Sequence, residues 1–385
     1  MGGEYFGPVV ACCVASAMLT GVLALNAAAL GKLAGLVDRP DGVRKLHKDD
    51  TPLVGGLALL IPAFVVSLVY FAAVSRMPFV PLAMVASAVL LFIGILDDRM
   101  GISPVWRLVA MTFIIFSVFS LEPLFILHTL KFGFRRWQFS VPLGIVAAPI
   151  TALIILGFVN AANMADGMNG QLMGSVVVWC LFIAYHVGAQ AAVPFLVVAC
   201  SAIVTIGFNL RGRLFAGNSG AYAASLFVAL GAIGAYRLQD GNLPAQLPLL
   251  WFWLPVIDCM RLMVKRTRAG MSPLTGDRQH FHHLLLDHMR VRYALLVYLG
   301  LLAAPGVAIE FNHYLGAAVG ILSLAIYVSL LVGLQTRASQ SPASTNAIVP
   351  VLRVAQPPRP YWRPAQHIAD REPVTAKAVE HQEIA

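Results

Sequence analysis

Residues 54–75, Val54-Gly-Gly-Leu-Ala-Leu-Leu-Ile-Pro-Ala-Phe-Val-Val-Ser-Leu-Val-Tyr-Phe-Ala-Ala-Val-Ser75, run for 22 positions without one charged side chain. A helix rises about 1.5 Å per residue, so such a run spans the roughly 30 Å hydrocarbon core of a bilayer. Laid along the rest of the chain, the same ruler finds runs near 8–30, 78–96, 104–121, 142–160, 170–186, 189–208, 219–236, 244–263, 293–309 and 314–334. They are continuous rather than alternating at every second residue, which excludes a transmembrane barrel. The expected fold class is therefore all-α, a polytopic integral membrane protein with about eleven transmembrane helices over residues 1–335. The first run has no basic segment before it and reads as a membrane helix, not a cleaved signal.

Composition agrees. Hydrophobic types make up 59% of the 385 residues and charged types 12%, and mean hydropathy is +0.78. Soluble domains carry about 25% charged residues. Too little polar side chain remains to coat a water-facing globule, which excludes a soluble enzyme, a disordered protein and a disulfide scaffold. The five cysteines, at 12, 13, 180, 200 and 259, all fall in apolar runs with no Cys-x-x-Cys spacing, so they read as inert buried thiols.

Charge decides the sides. The loops 38–53, 98–103, 161–169, 209–218 and 264–292 together hold 13 Lys and Arg, whereas those near 76, 122–141, 237 and 310–313 hold 5. The positive-inside rule makes the first set cytoplasmic, with the N-terminus outside and the C-terminus inside. The net charge of +9 thus marks loop orientation, not nucleic-acid binding. Residues 336–385, rich in Ala, Pro and Gln without apolar period, read as a disordered cytoplasmic tail.

Almost every polar cluster fit for chemistry falls in the cytoplasmic loops. Gly94-Ile-Leu-Asp97-Asp98-Arg99 places two adjacent carboxylates at a span's end. Mg²⁺ is held by such carboxylates together with substrate phosphates, although a solvated helix end looks the same. Asn160-Ala-Ala-Asn163-Met-Ala-Asp166-Gly-Met-Asn169-Gly170 gathers amides, a carboxylate and glycines at a tight junction. Phe208-Asn-Leu-Arg211-Gly-Arg213-Leu-Phe215-Ala-Gly217-Asn218-Ser219-Gly220 sets two arginines before a helix start, a combination that suits a phosphate and equally suits an N-capped basic loop. Arg261, Lys265, Arg266 and Arg268, followed by His280-Phe-His282-His283, form the most basic loop. Its cations can contact anionic headgroups, and its histidines suit phosphate or base hydrogen bonds better than zinc. The first loop, from Asp38 to Gly56, adds Arg44, Lys45 and Lys48.

Taken together and in order, DRPDGVRKLH…TPLVGG, GILDD, NAANMADGMNG, FNLRGRLFAGNSG and PVID…GMSPLTGDRQHFHH resemble the polyprenyl-phosphate N-acetylhexosamine-1-phosphate transferases of glycosyltransferase family 4, and the last segment resembles the GlcNAc-type branch. The resemblance covers most of residues 35–290. It implies ten or eleven helices around a cytoplasm-facing cleft in a bacterial inner membrane. A polyprenyl phosphate there attacks the β-phosphate of a UDP-sugar with help from Mg²⁺ or Mn²⁺, UMP leaves, and a lipid-linked envelope glycan is started. It also implies a homodimer among surrounding membrane lipids.

Residue by residue, the resemblance makes Asp97 and Asp98 the catalytic pair. One orients or deprotonates the lipid phosphate, and the other, assigned as Asp98, contacts the metal. Asp166 and Asn163 hold the nucleotide, Lys48, Phe215 and Gly217 line its pocket, and Asn169 and Arg211 join the substrate site. His280, His282 and His283 contact sugar or pyrophosphate. Two positions depart from the family pattern: Asn169 replaces the second aspartate of Asp-Gly-x-Asp-Gly, and Asn218 replaces the metal-binding aspartate of Gly-Asp-x-Gly. Asn218 can still offer the metal a neutral oxygen. The same departures also admit a second reading, a non-catalytic binding or scaffold protein.

Overall fold

A computed structural model describes residues 3–39, 50–74, 79–134, 137–239, 243–272 and 278–340. Of the expected tail 336–385, residues 336–340 continue the last helix, and the rest, like the predicted substrate residue Lys48, lies outside the described residues. Fourteen helices follow in chain order: α1 (Gly3–Leu25), α2 (Ala27–Ala34), α3 (Gly55–Val74), α4 (Phe79–Met100), α5 (Pro104–Leu121), α6 (Ala147–Ala165), α7 (Gln171–His186), α8 (Ala189–Asn209), α9 (Gly217–Leu238), α10 (Gln246–Trp251), α11 (Trp253–Arg268), α12 (Phe281–His288), α13 (Val291–Phe311) and α14 (His313–Gln340). Among the described residues, nine of these elements are long and apolar enough to cross a membrane.

The remaining two expected spans take other forms. α7 has only 16 residues. The run 244–263 breaks at Phe252 into α10 and α11. Pro255 explains the break, because it has no N–H to return to the Trp251 carbonyl one turn earlier. That carbonyl instead accepts from the Trp179 indole at 2.8 Å. The first run also stops short of residue 30. α1 ends at Leu25, where the Asn26 side chain donates to the Val22 carbonyl, and α2 starts afresh.

Among the described residues, two short antiparallel strand pairs interrupt the all-helical pattern. β1 (Val37–Asp38) pairs antiparallel with β2 (Thr51–Pro52). β3 (Thr129–Phe134) pairs with β4 (Trp137–Pro142) at the opposite end of the bundle from the α4–α9 loop junctions, with Phe132 stacked on Phe139. Tyr236, near the end of α9, clamps this second pair by accepting from Lys131 N–H and donating to the Thr129 carbonyl.

α9 is the central post of the bundle, with every residue from Ser219 to Tyr236 buried. α4 packs most extensively on it, and α3, α6 and α7 surround it. A helix apolar on all sides is the form expected for the innermost element. The outward residues of α1, such as Met18 and Leu25, are large, apolar and exposed, as a lipid-facing surface requires. The ends of α4, α6, α8 and α11 and the starts of α3, α7 and α9 meet at one end of the bundle, and the polar loops converge there.

Candidate active site

At the end of α4, two consecutive carboxylates have different surroundings. Asp97 is buried, with 4% of its surface exposed. Its Oδ2 accepts from Arg107 of α5 at 3.1 Å and from the Tyr222 hydroxyl of α9 at 3.2 Å, and Arg107 also donates to the Tyr222 oxygen at 2.8 Å. Asp97 therefore has its countercharge built into the protein. Asp98 turns to the start of α9, where its two oxygens accept the backbone N–H groups of Asn218 at 2.8 Å and Ser219 at 3.0 Å. The positive end of the α9 dipole favours an anion at this position.

That contact bears on the two readings of the fourth loop, a phosphate site or an N-capped basic loop: the first N–H groups of α9 already hold a carboxylate of the same chain. Gly217 makes the approach sterically feasible. Its φ is +70°, and a Cβ there would lie 2.6 Å from Asp98 Oδ2.

Asp166 follows directly on α6 and is half-buried. Desolvation pushes its carboxyl up to about 7, and the Asp98 charge adds to the shift while the Leu172 N–H opposes it. Asp98 and Asp166, 68 positions apart in sequence, are thus electrostatic neighbours. Asn163 and Asn169 flank Asp166 on the same connection, both half-buried. Asn209 ties this connection to the fourth loop: its amide oxygen accepts from Gly170 N–H and its amide nitrogen donates to the Leu214 carbonyl. The first loop joins through backbone bonds, Gly55 N–H to Phe215 O at 2.8 Å and Phe215 N–H to Pro52 O at 2.9 Å.

The histidine segment closes the site. His282, 1% exposed, lies so close over Gly167 that a Cβ at that glycine would fall 2.0 Å from its Nε2. Its ring stacks parallel to His280 and lies 4.2 Å from the ring of His283. Burial lowers the His282 pKa well below the usual value, and neighbouring His283 and His280 lower it further. His282 is therefore a neutral hydrogen-bonding group rather than a fixed positive charge. His280 is anchored by Asp258 of α11, whose Oδ2 lies 2.9 Å from His280 Nδ1. The same carboxylate accepts from Arg261 at 2.7 Å, from the Tyr327 hydroxyl at 2.9 Å and from Phe281 N–H.

The structure thus brings together Asp97, Asp98, Asp166, Gly217, Asn218 and the three histidines, with Asn163, Asn169 and Phe215 on the same connections. Arg211 is exposed in the turn after α8, and its guanidinium donates to the Gly207 carbonyl of that helix at 2.7 Å. Arg107, Tyr222, Asn209 and Asp258 were given no role from sequence. Arg107 and Asp258 did carry a signal, since each is a charge inside an apolar run, and such charges are retained for a partner or a function.

The donor set fits a hard cation. Asp98 and Asp166 are two carboxylates within electrostatic reach of each other, and Asn218 follows on the α9 start. No trio of His, Cys, Asp or Glu among the described residues forms a complete cage. Mg²⁺ needs none, because it takes one or two carboxylates and completes its shell with water and substrate phosphates.

Comparison with known proteins gives a consistent picture. The description "Glycosyl transferase family 4" matches residues 80–236, from the start of α4 to the Tyr236 clamp. The undecaprenyl-phosphate alpha-N-acetylglucosaminyl 1-phosphate transferase of Escherichia coli K12 is 28% identical over 314 residues, covering 74% of this chain and 79% of the relative. Its counterpart from Yersinia pestis is 29% identical over 66% of this chain and 70% of its own length. A decaprenyl-phosphate N-acetylglucosaminephosphotransferase from Mycolicibacterium smegmatis is 27% identical over 76% of this chain and 79% of the relative.

Proposed function

Because the chain belongs to glycosyl transferase family 4, we propose that it transfers a sugar-1-phosphate, N-acetylhexosamine-1-phosphate, from a UDP-sugar to a polyprenyl phosphate in the plasma membrane and releases UMP. One observation carries the assignment to this site. Asp98, set on the start of α9, and Asp166, set at the end of α6, lie within electrostatic reach of each other at the loop end of an apolar bundle, with His282 over the neighbouring Gly167.

The division of labour follows from the contacts. Asp97, neutralised by Arg107 and Tyr222, holds the end of α4 in place and keeps Asp98 aimed at α9. Asp98, Asn218 and Asp166 would hold Mg²⁺ or Mn²⁺, which when bound offsets the charge between two phosphates brought together. Asn163 and Asn169 supply amides for the nucleotide, beside Phe215 and Gly217. His280, fixed through Nδ1 by Asp258, presents Nε2 to sugar or pyrophosphate, and neutral His282 adds a hydrogen bond without adding charge.

The isoprenoid chain requires apolar space. A cavity of about 880 Å³, lined by Phe158, Trp253, Ile257, Pro305 and Leu324 among others, lies along the bundle between α6, α9, α10, α11, α13 and α14. Charge bias supports eleven crossings, with α7 and α10–α11 as the two short ones, the site and C-terminus cytoplasmic, and the N-terminus outside.

The deciding assay incubates purified protein with undecaprenyl phosphate, a panel of UDP-N-acetylhexosamines and Mg²⁺ or Mn²⁺, and follows UMP. Sugar-selective, divalent-dependent release is expected, with at least a roughly 100-fold loss in Asp98→Asn, in line with removal of an electrostatic catalytic group. If no sugar gives UMP, the transferase reading fails. Turnover gained only on joint Asn169→Asp and Asn218→Asp replacement would leave the natural protein a non-catalytic binder.

A further inference from the structure

The basic run at the end of α11 divides between two faces of the helix. Asp258, Cys259, Leu262 and Arg266 are buried against the bundle, and Arg266 is 1% exposed. At about 100° per residue, Ile257, Met260, Arg261, Val264, Lys265 and Arg268 fall on the other side as one stripe. These six side chains line a shared surface recess. Met260 is 58% exposed and Val264 48%, and Lys265 and Arg268 are exposed as well. Along the axis the stripe changes character: apart from Arg261, its first two turns are apolar, and its last turn is basic.

From this juxtaposition we propose that the outer face of α11 binds an anionic glycerophospholipid. Its phosphate would lie against Lys265 and Arg268, and the upper acyl chain along Ile257, Met260 and Val264. Charge complementarity sets the headgroup, because a cation pair at a membrane surface favours an anionic lipid over a zwitterionic one. The long stems of Lys and Arg let the charges reach the headgroup level while their methylenes stay in apolar surroundings. The negative end of the α11 dipole keeps both cations at this terminus. Arg261, at the edge of the stripe, is committed to Asp258 at 2.7 Å and to the Gln279 carbonyl. Lys265 touches the Gln279 side chain at 2.5 Å, a surface contact that a phosphate oxygen can replace.

The acceptor lipid differs in where its phosphate goes, although Ile257 and Met260 also line the large apolar cavity, so the two chains share that wall. Its phosphate must reach Asp98 and Asp166, which belong to the side of α11 where Asp258 and His280 are buried. The phospholipid site needs only the exposed stripe and does not depend on the transferase assignment.

The test is native mass spectrometry of the detergent-purified full chain, titrated with phosphatidylglycerol or with phosphatidylcholine of identical acyl chains. About tenfold preferential retention of phosphatidylglycerol is expected for the wild type, from roughly a tenfold factor or less per surface cation. Lys265→Arg/Arg268→Lys should keep the preference. Lys265→Ala/Arg268→Ala should lose it, with an unchanged melting temperature as the control for folding. Preference surviving in the double alanine variant overturns the proposal. So does displacement of bound phosphatidylglycerol by an equimolar amount of undecaprenyl phosphate, which would make the stripe an acceptor entrance.

Discussion

Two carboxylates adjacent in sequence differ in what faces them. Asp97 meets a guanidinium and a phenol, whereas Asp98 meets two peptide N–H groups and the charge of Asp166. The next position that matters is Asn218, whose amide would be a neutral ligand where the resemblance implies a carboxylate. In Asn218→Asp a charged ligand replaces a neutral one, so half-maximal turnover should need several-fold less Mg²⁺, since charged contacts are roughly twice as strong as neutral ones. The same variant should melt lower than wild type in EDTA, where a third carboxylate joins Asp98 and Asp166, and a Mg²⁺ titration of rate and melting temperature checks both signs. Asp166 allows a pH test. Its folded-state value near 7 lies above the unfolded one, so its contribution to stability is complete below about pH 4 and is lost as pH rises to 7. Asp166→Asn, which mimics the protonated form, should raise the metal-free melting temperature by a few degrees at pH 8 and by little at pH 5. It should also abolish turnover, as expected where burial of a charge serves function at the expense of stability. Thermal scans at the two pH values, alongside the UMP assay, decide it.

At the scale of elements, the break between α10 and α11 shows how one residue type ends a helix and a distant one repairs the damage. Pro255 leaves the Trp251 carbonyl without a helical donor, and Trp179 of α7 supplies it across 72 positions. Trp179 also touches the rings of Phe158 and Phe252, so it packs the hinge as well as satisfying it. Trp179→Phe keeps most of the ring contact and removes the donor. The orphaned carbonyl should lower stability by about 1–3 kcal/mol, read as a drop of several degrees in detergent, while KM for both substrates stays unchanged. A raised KM instead would mean that the hinge shapes the substrate site directly. The break also gives α11 its two faces, with Asp258 toward the histidine segment and the Lys265–Arg268 stripe away from it.

For the whole molecule, the expectation that remains to be measured is orientation. The hairpin β3–β4 and the α11–α12 connection should lie on opposite sides of the membrane, with 13 Lys and Arg on the second side against 5 on the first. A cysteine introduced as Gln138→Cys should react with a membrane-impermeant maleimide in intact cells, and one introduced as Ser272→Cys only after permeabilisation. The reverse pattern would invert the topology and put the site outside. The five native cysteines are buried or half-buried among apolar helices, which keeps the background low.

The sequence alone determined the membrane class, the approximate spans and the five polar loops, because each is a local property. Hydropathy sums over one window, loop charge counts along one segment, and a motif is read without knowing its neighbours in space. The same reading placed the first span five residues too far along, did not foresee the break at Phe252, and gave no role to Arg107 and Asp258, which sit inside apolar runs. Only the tertiary structure decided which aspartate is neutralised, that the α9 start is taken by Asp98, and that His280 hangs from Asp258. Those contacts join residues 125, 120 and 22 positions apart, and Tyr327 reaches Asp258 over 69. Each depends on how far one helix is rotated about its axis relative to another. That angle is set by packing of the whole bundle around α9, and no window of sequence contains it.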